Sequence, residues 1–163
     1  IWEEAVAAAG DAANKPPNIR VQGAKEASPS KMNQNRWRVG ARVHNASSHP
    51  TEVKAEVWLL GITDRKRDYY VMSRSEHTLK LRQGEARELD LFTRAESSYK
   101  GKADNHDGVP KKERNRTKVH YHGFAIRVFH DGELVASTAS NARLANWVSP
   151  GGDASELTRL PKF

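Results

Sequence analysis

Between Val119 and Ser140 two runs rich in β-branched and aromatic residues flank Asp131-Gly132, and this pair narrows the fold more than any other feature of the chain. A two-residue turn of type I′ needs positive φ at both central positions. Asp tolerates that conformation, Gly adopts it freely, and the twist of the turn matches that of the flanking strands. An antiparallel hairpin is therefore expected here, and with it an all-β domain. In its first arm His120, His122, Phe124, Ile126 and Val128 are expected on one face and Tyr121, Gly123, Ala125, Arg127 and Phe129 on the other. Such an arm is covered on much of both sides.

Upstream, apolar residues recur with a period of two, as in strands with one buried face. Ile19 and Val21 begin the first run. From Arg36 to Asn45, Trp37, Val39, Ala41 and Val43 alternate with Arg36, Arg38, Arg42 and His44, and Val53, Ala55, Val57 and Leu59 resume the period against Glu52, Lys54 and Glu56. Asn45 to Pro50 separates these two runs and has turn composition. Asp64 to Asp68 predicts a charged turn, followed by two short strands, Tyr69 to Met72 and Thr78 to Leu81. After Gln83-Gly84-Glu85, Leu89 and Leu91 alternate with Glu88 and Asp90 in a strand from Arg87 to Phe92. Seven or eight short antiparallel strands with polar turns predict an immunoglobulin-like or fibronectin-like β-sandwich.

The ends read differently. Residues 1–17 predict a short N-terminal helix stopped by Lys15-Pro16-Pro17, residues 18–147 the sandwich, and residues 148–163 a C-terminal tail, with one or two helical turns expected over Asn141 to Trp147. Because the chain opens at Ile1 and not at Met, a leader removed before it is expected. No apolar run approaches the roughly 20 residues that span a bilayer.

Charge is concentrated. The net charge is +7, and residues 94–118 carry 8 basic against 4 acidic side chains, an excess that supplies over half of it. This 25-residue stretch lacks an apolar period, and loops of that length in compact domains are usually functional or without fixed structure. Lys111, Lys112, Arg114, Arg116 and Lys118 form a candidate polyanion site, since clustered cations release counterions when they bind a polyanion. Nucleic-acid modules interleave aromatics with their basic residues for stacking, and Tyr99 is the aromatic nearby in sequence. Trp58 falls out of phase with Val57 and Leu59. It is expected either to cover the second sheet face beneath a loop or the tail or to form, with Tyr99, an exposed patch for a partner.

Other candidates are weaker. His120 and His122 are two apart on a strand and face one way, but a third metal ligand is not fixed beside them. Asp104-Asn105-His106-Asp107-Gly108 has the oxygen ligands of a calcium loop but lacks its closing Glu, with Asn115 at that position. Asn45-Ala46-Ser47 and Asn115-Arg116-Thr117 match the acceptor pattern for N-linked glycans. The absence of cysteine rules out disulfides, thiolate metal sites and cysteine nucleophiles. No Ser, His and acid signature, framed carboxylate pair or phosphate-cradling loop is present in the sequence, so neither an enzymatic activity nor a cofactor is expected.

The run Leu79-Lys80-Leu81-Arg82-Gln83-Gly84-Glu85 and the hairpin Phe124-Ala125-Ile126-Arg127-Val128-Phe129-His130-Asp131-Gly132-Glu133-Leu134-Val135, following the alternating Trp37, Val39 and Val43, resemble bacterial immunoglobulin-like sandwich proteins. More narrowly, they resemble exported proteins of Gram-negative gut commensals associated with type IV pilus machinery. That resemblance, over residues 18–145, implies export to the periplasm or cell surface and a structural or adhesive role, with a protein partner in a surface assembly or a host glycan as ligand. Homo-oligomerisation through sheet edges belongs to the same expectation. The alternative is a polyanion-binding module, for nucleic acid or acidic glycan, built on residues 111–118.

Overall fold

The computed structural model describes residues 1–10, 17–31, 36–63, 69–93, 97–98, 118–149, 152 and 155–162. Helix α1 spans Trp2–Ala9. The strands are β1 (Ile19–Ala27), β2 (Arg38–Asn45), β3 (Thr51–Thr63), β4 (Tyr69–Leu81), β5 (Ala86–Phe92), the two-residue β6 (Ser97–Ser98), β7 (Lys118–His130) and β8 (Glu133–Ala139). Helices α2 (Ala142–Val148) and α3 (Ser155–Arg159) follow. No helix among the described residues is long and apolar enough to cross a membrane.

The strands form two antiparallel sheets. One has the order β1-β2-β5; in the other β4, β3 and β7 lie side by side, and β7 pairs with both β6 and β8 on its far side. This is the all-β sandwich expected from the alternation. The fourth strand pairs with the third and not the fifth. The hairpin turn is as expected, with Asp131 at φ 49° and Gly132 at φ 80°.

Between the sheets lies a core in which every second residue of each strand meets its counterpart across the gap. Val39, Ala41 and Val43 of β2 and Leu89 and Leu91 of β5 face Val53, Ala55, Val57 and Leu59 of β3 and Phe124, Ile126 and Val128 of β7. Each large side chain removed from water here contributes about 1.5–3 kcal/mol. One place in β1 must be glycine: a Cβ at Gly23 would overlap the ring of Phe124.

At the end of this core one buried amide is satisfied locally. Asn45 is fully buried, its Nδ2 donates to the carbonyls of His49, Leu81 and Arg82 at 3.0, 3.1 and 3.2 Å, and its Oδ1 accepts from the Ser47 amide at 3.0 Å. One side chain thus ties the β2–β3 turn to the β4–β5 turn. The acceptor pattern at Asn45 is thereby corrected: an amide with all its capacity spent inside the domain offers nothing to a glycan.

Two expectations about strands are also corrected. Tyr69 to Leu81 is one 13-residue strand, not two short ones. Its middle carries Ser73, Ser75 and His77 on the inward side and Arg74 and Glu76 on the outer, so apolar alternation is missing although main-chain pairing with β3 continues. Register shifts occur on both sides of β3, where Met72 of β4 and His122 of β7 are extra residues in their ladders. Such bulges reset the two-residue phase. Tyr121 and Phe124, three apart, therefore both pack on the inner core, and His122 leaves the face assigned to Phe124, Ile126 and Val128. Gly61 lies between the bulges, where a Cβ would come within 2.5 Å of Val119 Cγ1 and 2.8 Å of Met72 Sδ.

The C-terminal segment docks. Asn141 caps α2, accepting the Leu144 amide on its side chain at 3.0 Å. Leu144, Val148 and Leu157 are buried with Trp58, Leu60, Val71 and Ala125, forming a second core on the outer face of the β4-β3-β7 sheet. The chain then reaches the β4 edge, where the Val71 amide donates to Pro161 O at 2.8 Å.

Candidate functional site

The two sheets present opposite outer faces. That of β4-β3-β7 is closed by α2 and α3 at one end and by an interlocked charge network at the other. There Arg127 Nη2 meets Glu56 Oε2 at 2.9 Å, Lys54 meets Glu76 at 3.2 Å, and Arg74 meets Glu76 at 2.9 Å. A hydrogen bond from Lys54, helped by Arg74, holds the Glu76 carboxyl below the usual range despite the residue's exposure. The guanidinium carbons of Arg74 and Arg127 stand 5.3 and 5.1 Å from the Trp58 ring centroid. Beside them Tyr69 packs edge-on against Trp147 and His122, with Arg143 5.1 Å from its ring centroid.

The outer face of β1-β2-β5 is exposed and its charges are largely unengaged. Register places Gln22, Arg42 and Glu88 on one rung, Arg20, His44 and Ala86 on the next, and Gly40 beside Asp90 on the other side. Arg38 donates from Nε and Nη2 to a single oxygen, Asp90 Oδ1, at 3.2 and 2.9 Å. The side chains of Arg20, Gln22, Arg42, His44 and Glu88 have no hydrogen-bond or ion-pair partner among the described residues. A hollow of about 430 Å³ is lined by Gln22, Ala27, Arg38, Gly40, Arg42 and Glu88, among others. It adjoins a smaller one of about 190 Å³ between Arg20, Gln22, Arg42 and His44. Gly40 has no side chain to fill the space between Arg38 and Arg42, which leaves the backbone approachable.

Sequence-predicted sites fare unevenly. Tyr99, Lys111, Lys112, Arg114 and Arg116 lie outside the described residues, as do Asp104 to Gly108 and Asn115. Lys118 opens β7, its backbone paired with Ser98. Trp58 is 1% exposed, so it is corrected from an interaction patch to a packing residue. Leu60 and Ala125 flank it, the C-terminal helices cover that face, and two guanidiniums lie against its ring. His120 and His122 lie on either side of Tyr121, next to the bulge, and among the described residues no three His, Asp or Glu side chains gather to hold a metal ion. His122 Nε2 instead stands 3.5 Å from the Tyr69 hydroxyl. On the inner side, burial and then the neighbouring Glu26 carboxylate raise the Tyr121 phenol well above its usual pKa, and Trp37 stacks on its ring at 4.6 Å.

The open face escaped notice in the sequence because alternating Arg38, Arg42 and His44 is also how any solvated strand face reads. A signal was available in the charges themselves, for three basic residues in alternation on one strand with glycine between two of them is not a neutral surface.

No family model and no curated protein sequence matches the chain. Solved structures with similar backbone courses include the β-glucosidase DesR from Streptomyces venezuelae, at 12% identity and TM-score 0.42, with 77% of this chain covering 15% of that one. A β-glucosidase from Listeria innocua is similar at 14% identity and TM-score 0.42, over 76% of this chain and 16% of that enzyme. A protein from Akkermansia muciniphila is similar at 15% identity and TM-score 0.39, over 77% of this chain and 72% of that chain. The chain thus spans about a sixth of the length of the two glucosidases. At such identities and scores no activity of theirs is carried to this protein.

Proposed function

We propose that this protein is a non-enzymatic structural or adhesion module of the cell envelope, engaging its partner on the outer face of the β1-β2-β5 sheet. The observation that carries this reading is the asymmetry of the two outer faces. One is sealed by α2, α3 and a closed set of ion pairs, while the other displays polar groups that the described chain leaves unengaged. Surfaces built for recognition keep hydrogen-bonding capacity in reserve for the partner. The sequence resemblance to exported pilus-associated sandwich proteins supports the envelope location, and a protein of a surface assembly or a host glycan is the partner it suggests.

Fractionation of cells expressing the epitope-tagged full-length protein tests this. Recovery with the envelope or in the medium is the expected result. Recovery in the cytosol overturns the reading.

A further inference from the structure

We propose that the hollow on the open sheet is a subsite for a saccharide bearing a carboxylate, with Arg42 and Arg20 receiving the anionic group. This deepens the reading above by naming the ligand class, and it rests on the open face being the binding face.

The geometry supplies both halves of such a site. Arg42 is shared by the two adjoining hollows, and Arg20 lines the smaller one on the neighbouring strand, diagonal to Arg42 across the β1–β2 ladder. Neither guanidinium has a carboxylate within ion-pair distance among the described residues. An arginine fork suits a planar carboxylate, because two parallel N–H donors match its two oxygens. Across the same hollow stand groups suited to hydroxyls. Gln22 both donates and accepts, Glu88 accepts, and Asp90 has one oxygen fixed by Arg38 Nε and Nη2 while Oδ2 is left to accept. A volume of about 430 Å³ falls within the range of small-ligand sites, roughly 300–1,000 Å³.

Charge distribution decides between ligands. A phosphate chain crossing this face would run from the arginines onto Glu88 and Asp90 and be repelled there. The residues lining the two hollows include no Trp, Tyr or Phe ring on which a base would stack. A ligand with one carboxylate and several neutral hydroxyls meets cations on the β1–β2 side and acceptors on the β5 side.

The experiment is a titration of the isotopically labelled full chain, followed by amide chemical shifts, with the monosaccharide galacturonate, which bears a single carboxylate, and with its methyl ester, which keeps the shape and removes the charge. Shifts in β1, β2 and β5 with the acid, and about tenfold weaker binding of the ester, are expected. Arg42→Gln is expected to erase most of the preference for the acid, and Glu88→Gln to weaken acid and ester alike. Equal binding of the two saccharides, shifts confined to residues 94–118, tighter binding of oligothymidylate, or no shift with either saccharide at millimolar concentration overturns the proposal. Recovery of the protein in the envelope would stand through any of these results, so the two readings fail separately.

Discussion

Replacing Asn45 by Ala removes every link that this side chain makes between the two turns at the end of the core. Its two N–H donors are spread over the carbonyls of His49, Leu81 and Arg82, and its carbonyl oxygen holds the Ser47 amide, all within a site that is fully closed to water. At most three strong hydrogen bonds are lost, each worth about 1 kcal/mol net, and the buried Ser47 N–H left behind adds about 1–3 kcal/mol. The expected destabilisation is therefore up to about 4–6 kcal/mol, a large part of the roughly 5–15 kcal/mol that holds a domain folded. In urea unfolding followed by tryptophan fluorescence the midpoint should fall with the slope unchanged, and Tm should drop by about 10 °C. Asn45→Asp should be worse than Ala at neutral pH, because it turns an anion toward carbonyl oxygens. That gap should narrow in acid as the carboxyl is neutralised. Ser48→Ala, at an exposed neighbour, serves as the control and should change stability by less than about 0.5 kcal/mol. A loss below about 1 kcal/mol for Asn45→Ala would refute the view that this amide pins the turns together.

Other perturbations reach different parts of the fold. Leu157→Ala should cost about 2–5 kcal/mol and raise the susceptibility of the C-terminal segment to limited proteolysis, whereas wild-type-like protection would show that α3 does not hold the second core. Gly132→Ala should cost about 1–2 kcal/mol through φ alone, since a Cβ there meets nothing within 4 Å, and a neutral result in thermal melts would count against the type I′ turn. The raised pKa of Tyr121 makes its folded state resist ionisation, so its contribution is complete below pH 10.0, the ordinary phenol value, and is lost progressively above it. Alkaline unfolding with coincident tyrosinate absorbance should appear above that pH and be blunted in Tyr121→Phe. A chain whose tyrosines all titrate near 10 while it stays folded would contradict this.

Sequence alone was enough for what is local. The Asp131-Gly132 turn, the inward sets of β2 and β3, the helical turns after Asn141 and the all-β class follow from φ preferences and a two-residue period, which neighbours in the chain impose on one another. Where partners are far apart in sequence, that information ran out. The Gly61 backbone accommodates Met72 and His122 as extra residues in the strands on either side, and the pattern of β7 taken alone carries no mark of where its phase resets. Continuous pairing of β4 is carried by main-chain bonds to β3, to which Ser73, Ser75 and His77 add no apolar signal. Trp58 read equally well as a patch or as packing, and docking of Leu144, Val148 and Leu157 decided it. The open face is likewise a tertiary fact, because Arg20, Arg42 and Glu88 come from three strands and are brought to one surface by the β1-β2-β5 pairing. Alternation decides which side chains share a side of a strand; the burial of each sheet against distant segments decides which side meets water.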